Sequence, residues 1–282
     1  MTASMTLENL VTFNPVSIDE QTPLLEVARM LESAGFHHWP VVDSERRLLG
    51  LLSEVDLVNA MQQSMLVDAV VGASSSGADP DWARRTVGEL ISRKLFTISL
   101  AASAGDAMRM MLDKQIHALP VVEDDRLLGM VTSTDIVREI SFGNWPVSQM
   151  LVTQYATATI EPIEGDASLQ AALDQMHSTG AEYLVVTLGE RPAGIVSRRQ
   201  IRKAICREAL RERESADSSS RQPPVLALVH SRMFVRPGAR ICDAAAQMLE
   251  NQLQAVAVVN QAQRLLGILT EDELLRAVFS NG

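Results

Sequence analysis

Hydrophobic and polar positions follow one order four times along this chain. A helical pattern comes first, with apolar residues three and four apart: Leu24, Val27, Ala28 and Leu31, then Ala107, Met108 and Met111, then Leu169, Ala172, Leu173 and Met176, then Ile241, Ala244, Ala245 and Met248. After each helix comes an apolar run such as Trp39-Pro40-Val41-Val42 or Leu119-Pro120-Val121-Val122, a polar turn such as Ser44 to Arg47 or Glu123 to Arg126, and a second apolar run ending near a glycine. Two such runs across a short polar turn predict a β-hairpin. Short extended segments precede the helices at Val16–Ile18, Phe96–Ile98, Thr159–Glu161 and Phe234–Arg236. The predicted unit is strand, helix, strand, strand, helix, repeated about every sixty residues.

Each unit closes on one phrase: Gly50-Leu-Leu-Ser53-Glu-Val-Asp56, Gly129-Met-Val-Thr132-Ser-Thr-Asp135, Gly194-Ile-Val-Ser197-Arg-Arg-Gln200 and Gly267-Ile-Leu-Thr270-Glu-Asp-Glu273. A hydroxyl followed three residues later by a long acceptor is a capping box, in which each side chain bonds the other residue's backbone amide. Ser197 with Gln200 and Thr270 with Glu273 fit it as written. Asp56 and Asp135 are shorter, less suited to reaching back, and suited to another task. A carboxylate accepts from the two hydroxyls of a ribose at once through charge-assisted bonds. Ser53 and Thr132 sit at a helix start, where backbone amides favour a phosphate.

The order of elements, the apolar-Pro-Val-Val strands and the Gly-x-x-Ser/Thr-x-x-Asp endings together resemble the CBS domain family, named for cystathionine beta-synthase. The resemblance implies an α/β (α+β) fold of four β-α-β-β-α repeats, at 1–61, 86–140, 147–206 and 224–282, paired into two pseudo-twofold modules. Repeats one and two form module one, and repeats three and four module two. In that family clefts between repeats bind adenosine-containing ligands, the Asp taking the ribose, the Ser/Thr the phosphate, and apolar strand residues the adenine. The implied ligand residues are Ser53, Asp56, Thr132 and Asp135.

Two histidines extend this site. His37 and His117 lie three residues before Pro40 and Pro120, where AMP-binding members of the family often place a phosphate contact. Arg93 and Lys94, in the segment leading into repeat two, would add positive charge. Repeats three and four offer Ala181 and Gln254 for the histidines, and Gln200 and Glu273 for the ribose acceptors, so module two reads as degenerate or differently specific. An anion at Arg198 and Arg199 is its more plausible ligand. The Arg- and Lys-rich helix from Arg198 to Arg213, interleaved with Glu208 and Glu212, otherwise reads as a solvated, salt-bridged surface. His38 beside His37 makes no metal pair, because neighbours in a strand face opposite sides.

Small-residue linkers are expected at 72–81 and 215–224, each inside a module, whereas the junction Phe142–Pro146 between modules is short enough to hold them in a fixed relation. Composition changes the picture mainly by exclusion. The net charge of −10 over 282 residues argues against nucleic acid and against a membrane surface as partners. No apolar run approaches the roughly 20 residues of a spanning helix, and the polar start lacks the regions of a signal peptide, so the expected location is cytoplasmic. Cys206 and Cys242 read as buried thiols. No nucleophile–base pair, phosphate-binding glycine loop or metal-ligand cluster is legible. The expected protein is a stand-alone, non-enzymatic regulator without metal or catalytic cofactor. It binds an adenine nucleotide such as AMP, ADP or ATP in module one and signals through a homodimer, another homo-oligomer or an effector protein. The alternative is a structural or protein-interaction module whose Asp residues only cap helices.

Overall fold

The computed structural model describes residues 6–33, 38–61, 81–157, 161–214, 223–229 and 234–281. Repeat one comprises β1 (Thr12–Phe13), α1 (Leu24–Ser33), β2 (His38–Val42), β3 (Leu48–Ser53) and helical residues 54–61, here α2. After the short α3 (Asp81–Arg84), repeat two has α4 (Ala104–Lys114), β4 (Ala118–Glu123), β5 (Arg126–Thr132) and α5 (Ser133–Ser141). Repeat three has β6 (Glu161–Glu164), α6 (Leu169–Thr179), β7 (Tyr183–Leu188), β8 (Arg191–Ser197) and α7 (Arg198–Glu214). Repeat four has β9 (Phe234–Val235), α8 (Ile241–Glu250), β10 (Ala255–Val259), β11 (Leu265–Thr270) and α9 (Glu271–Asn281).

The fold is thus mixed α/β, and the hairpins pair as predicted. β2 runs antiparallel to β3, β7 to β8 and β10 to β11, while β6 and β9 join β7 and β10 in parallel. In repeats one and two the lead-in strand shrinks to single parallel bridges, Ile18 with Val41 and Ile98 with Val121. The helix stripes form the core: Leu24, Val27, Ala28, Ala107, Met111, Ala172, Met176, Ala244, Ala245 and Met248 are buried, as is Cys242. Leu173 lies only at the margin of the repeat-three core. The linkers at 72–80 and 215–222, His37, Thr159, Ile160 and the side chain of Cys206 lie outside the described residues.

One feature of the sheets escaped the sequence pattern. Ahead of the lead-in strands of repeats one, two and three, a segment of one repeat crosses to the hairpin of another. Thr12 and Phe13 pair with Met130 and Gly129, Ser92 bridges to Leu51, and Thr157 bridges to Ile268. The glycine of the repeated phrase makes room for this crossing. A Cβ at Gly129 would stand 2.8 Å from the Thr12 carbonyl oxygen, one at Gly267 2.7 Å from that of Thr157, and one at Gly50 2.6 Å from the Ile91 side chain. Only glycine admits so close an approach of another backbone.

By contacts the chain forms two compact units, Thr6–Ala102 with Ala118–Val131, and Ser103–His117 with Thr132–Gly282. Repeat two is divided between them. In the second unit α5 packs on α8 and α9, and α4 on α9, because the apolar face Ile136, Val137 and Ile140 of α5 is fully buried. The junction after α5 is compact. The amides of Gly143 and Asn144 close onto the Ile140 and Glu139 carbonyls, with Gly143 in the left-handed region at φ 81°. Pro146 then opens a turn that packs on α5, α8 and α9.

Candidate nucleotide-binding turns

The four closing phrases build the same turn, and in each the helix is capped. At the start of α2 the amide and hydroxyl of Ser53 donate to Asp56 Oδ2 at 3.1 and 2.5 Å, and the Asp56 amide donates to Ser53 Oγ at 3.2 Å. At α5 the amide and hydroxyl of Thr132 donate to Asp135 Oδ2 at 2.9 and 2.6 Å. Gln200 accepts from the Ser197 amide at 2.8 Å, and Glu273 accepts from the Thr270 amide at 3.1 Å and from its hydroxyl. Aspartate therefore reaches back as well as the longer acids do, contrary to the expectation above. The backbone at Thr132 is extended (φ −128°, ψ 163°), the usual N-cap conformation, and the aspartate of the α4 cap, Asp106, reaches back to Ser103 in the same way.

The turns differ in what remains of each acceptor. Among the described residues no donor bonds Asp56 Oδ1, whereas Oδ2 takes both the amide and the hydroxyl of Ser53. Asp135 is 9 % exposed, and its Oδ1 accepts from Arg138 at 2.6 Å. Glu273 spends its second oxygen on Thr157 Oγ1 at 3.2 Å, and burial pushes its carboxyl above the usual range, partly offset by the bond from Thr157. The hydroxyl protons of Ser53 and Thr132 already point at their aspartates, so a phosphate bound there must displace an internal bond.

The positively charged candidates lie elsewhere. Arg93 is in a salt bridge with Glu20 at 3.3 Å. It lines an open cleft of about 500 Å³ with Leu48, Leu95, Thr97, Asp124 and Asp125. Leu48 and Ser53 are opposite ends of β3, about 16 Å apart at strand rise, so Arg93 belongs to the hairpin end of the strand rather than to the Ser53 turn. Lys94 is exposed.

His117 lies in the second unit, half-exposed, with Nδ1 3.6 Å from Asp272 Oδ1. Its carbonyl accepts from the Ser133 amide at 2.9 Å, which ties it to the Thr132 turn. The same bond marks its counterparts: Glu271 donates to the Gln254 carbonyl at 3.0 Å, and Arg198 to the Glu182 carbonyl at 2.9 Å. In repeat three the counterpart is thus Glu182, not Ala181. The pairing of Val186 with Gly194 sets this register, which a strand without proline did not reveal.

Module two is also less open to anions than the arginines suggested. Arg198 is used internally, donating to the carbonyls of Met176 and Ala181 at 2.9 and 2.8 Å and pairing with Glu182 at 3.2 Å. Burial lowers the Arg199 guanidinium to about 10, with Glu271 acting against the shift. Tyr183 donates to the Gln254 carbonyl at 3.5 Å. Its phenol is raised well above its ordinary value by burial and then by Glu271, Asp272, Glu182 and Glu273. Sequence reasoning missed this acidic surround because nothing in a linear pattern says which helix starts face one another; it also missed Arg138, although its spacing three residues after Asp135 on one helix was a local signal for the pair. Among the described residues no cluster of His, Cys, Asp and Glu has the makings of a metal site.

Comparison with known proteins agrees with the repeat. The CBS domain family profile matches residues 7–63, 87–142, 152–207 and 222–280. The solved structure of protein MJ1225 from Methanocaldococcus jannaschii, described as a candidate archaeal homologue of g-AMPK, superposes with a TM-score of 0.75 at 17% identity, covering 96% of this chain and 99% of that one. A conserved protein from Pyrococcus horikoshii superposes with a TM-score of 0.63 at 17% identity, covering 97% and 100%. Among curated relatives, a 33.4 kDa protein in the ribosomal RNA operon of Thermofilum pendens is 23% identical over 199 residues, 67% of this chain and 61% of that protein. Hypoxic response protein 1 of Mycobacterium tuberculosis is 24% identical over 135 residues, 48% of this chain and 85% of that one. With four matched copies spanning most of its length, this chain belongs to the CBS domain family.

Proposed function

We propose that this protein is a regulatory sensor of an adenosine-containing ligand, an adenine nucleotide in the first instance, held at the turns of repeats one and two. The observation that carries this reading is the state of Asp56: one carboxylate oxygen organises the helix start, and the other, bonded by no donor among the described residues, would accept from a ribose diol. At Asp135 the same diol would displace Arg138, whose guanidinium would then be released toward the ligand's phosphates. His117 stands one hydrogen bond from that turn. Occupancy is read out by a conformational change passed to a second copy of the chain or to an effector protein.

A second reading has an observation of its own. Gln200 and Glu273 cap their helices just as the aspartates do, so the phrase is sufficiently explained by helix capping in an interaction module. Replacing Asp56 and Asp135 together by Asn separates the two, because Asn retains an oxygen for the cap and loses the charged acceptor. Calorimetric titration with adenosine, AMP and ATP should show binding to the native chain and a loss of at least about tenfold, or roughly 1.4 kcal/mol, in the variant. Unchanged affinity, or no binding to the native chain, favours the capping reading.

A further inference from the structure

Glu271 is a carboxylate that the proposed site does not use. It is the first residue of α9 and only 5% exposed, an unusual place for a carboxylate. Both of its oxygens are bound by adjacent residues of another repeat: Ser133 Oγ donates to Oε2 at 2.8 Å and Thr134 Oγ1 to Oε1 at 3.3 Å. Ser133 and Thr134 are the two residues enclosed between Thr132 and Asp135. One residue on, Asp272 faces His117. The helix starts of repeats two and four are therefore clasped together, each also anchored by its first amide to the residue just ahead of the first strand of its own hairpin, His117 before β4 and Gln254 before β10.

We infer that Glu271 is the positioning residue through which the Thr132–Asp135 turn of repeat two sets the conformation of α9 in repeat four. This rests on the proposed ligand reading of that turn. A buried carboxylate tolerates little loss of its donors, since an unsatisfied buried charge is far more costly than an unsatisfied exposed one. Each oxygen of the Glu271 carboxyl is bonded by one of two adjacent hydroxyls, which ties the carboxyl to the Ser133–Thr134 segment. The groups facing it are Ser133 and Thr134 from α5, His117 ahead of β4, Arg199 on α7, and Tyr183 on β7. When a ligand displaces Arg138 from Asp135 and repositions the Thr132–Asp135 turn, Ser133 and Thr134 move with it, and Glu271 conveys that shift to α9, on which α4 and α5 already pack. Repeat four, without a ribose-type aspartate, is then the receiver of the signal.

The test is hydrogen exchange on the full chain with and without saturating AMP, beside calorimetry of AMP binding. In the native chain AMP should change exchange at the first turn of α9 by at least about fivefold, the low end of ordinary coupling between sites. In the Ser133→Ala/Thr134→Val variant that response should fall below about twofold while AMP still binds. A triple variant that adds Glu271→Leu removes the clasp without leaving a buried charge, and it should give the same result if the first variant fails to fold. An α9 response that survives in either variant, or its absence in a native chain that binds AMP, overturns the coupling and leaves the ligand reading standing. Failure of the native chain to bind AMP overturns both, and calorimetry alone shows it.

Discussion

At the scale of single residues the informative contrast is between carboxylates in similar turns. Asp56 has one oxygen bonded by no donor among the described residues, Asp135 has both engaged, and Glu271 is buried against another repeat. Their chemistry follows from environment rather than from residue type. Glu271 makes a prediction about pH. Its carboxyl is raised in the folded chain by burial, so the folded state holds the proton more tightly than the unfolded state does. The stability this group contributes is present below the ordinary carboxylate value and is lost as pH rises through the raised one. Glu271→Gln removes that titration. Thermal unfolding from about pH 4 to 8 should therefore show the variant gaining on the native chain as pH rises, and a gap independent of pH would mean that this carboxyl does not titrate with folding. Arg199, Asp272, His117 and Glu273 remain in both proteins, so their effects largely cancel in the difference.

At the scale of elements the repeated glycine has a structural duty that precedes any ligand. Gly129 and Gly267 lie against the backbone of a crossing segment from another repeat. Alanine at either position would push a methyl group into a carbonyl oxygen that is held in a sheet. Gly129→Ala should lower the urea midpoint by an amount equivalent to about 1–3 kcal/mol, the usual cost of forcing an atom into a packed site. Gly238, where an added Cβ would meet nothing within 4 Å, is the control, and Gly238→Ala should change stability by less than about 0.5 kcal/mol. Equal effects at the two positions would remove the crossing segment as the reason for the glycine.

At the scale of the whole molecule the division into compact units does not follow the division into repeats. Helices α4 and α5 of repeat two lie in the unit that holds repeats three and four. A fragment of residues 142–282 would expose the faces of α8 and α9 that those helices cover. It should unfold at a lower temperature than a fragment beginning at Ser103, and it should associate on size-exclusion chromatography, since uncovered apolar helix faces drive association. If both fragments are monomeric and equally stable, the α4 and α5 contacts contribute little. No described helix is long and apolar enough to cross a membrane.

Much of this architecture was legible in the linear pattern, because periodicity and turn residues act locally. The order of elements, the buried helix stripes and the capped starts of α7 and α9 followed from spacing within about sixty residues, whereas the aspartate caps of α2 and α5 did not. Hairpin register was legible where Pro40 and Pro120 marked it, and lost by one residue in repeat three, where no proline stands and Glu182 rather than Ala181 holds the place of His117. Tertiary structure alone decided what faces what. It placed the crossing segments over the glycines, turned Arg93 toward the hairpin end of β3, gave Arg198 to backbone carbonyls, and set Glu271 against Ser133 and Thr134. Those partners are more than ten residues apart in sequence, up to 138 for Ser133 and Glu271, and no local propensity encodes them. They arise from packing of the apolar helix faces, which selects neighbours by shape and burial and only then leaves the polar groups at their edges to find one another.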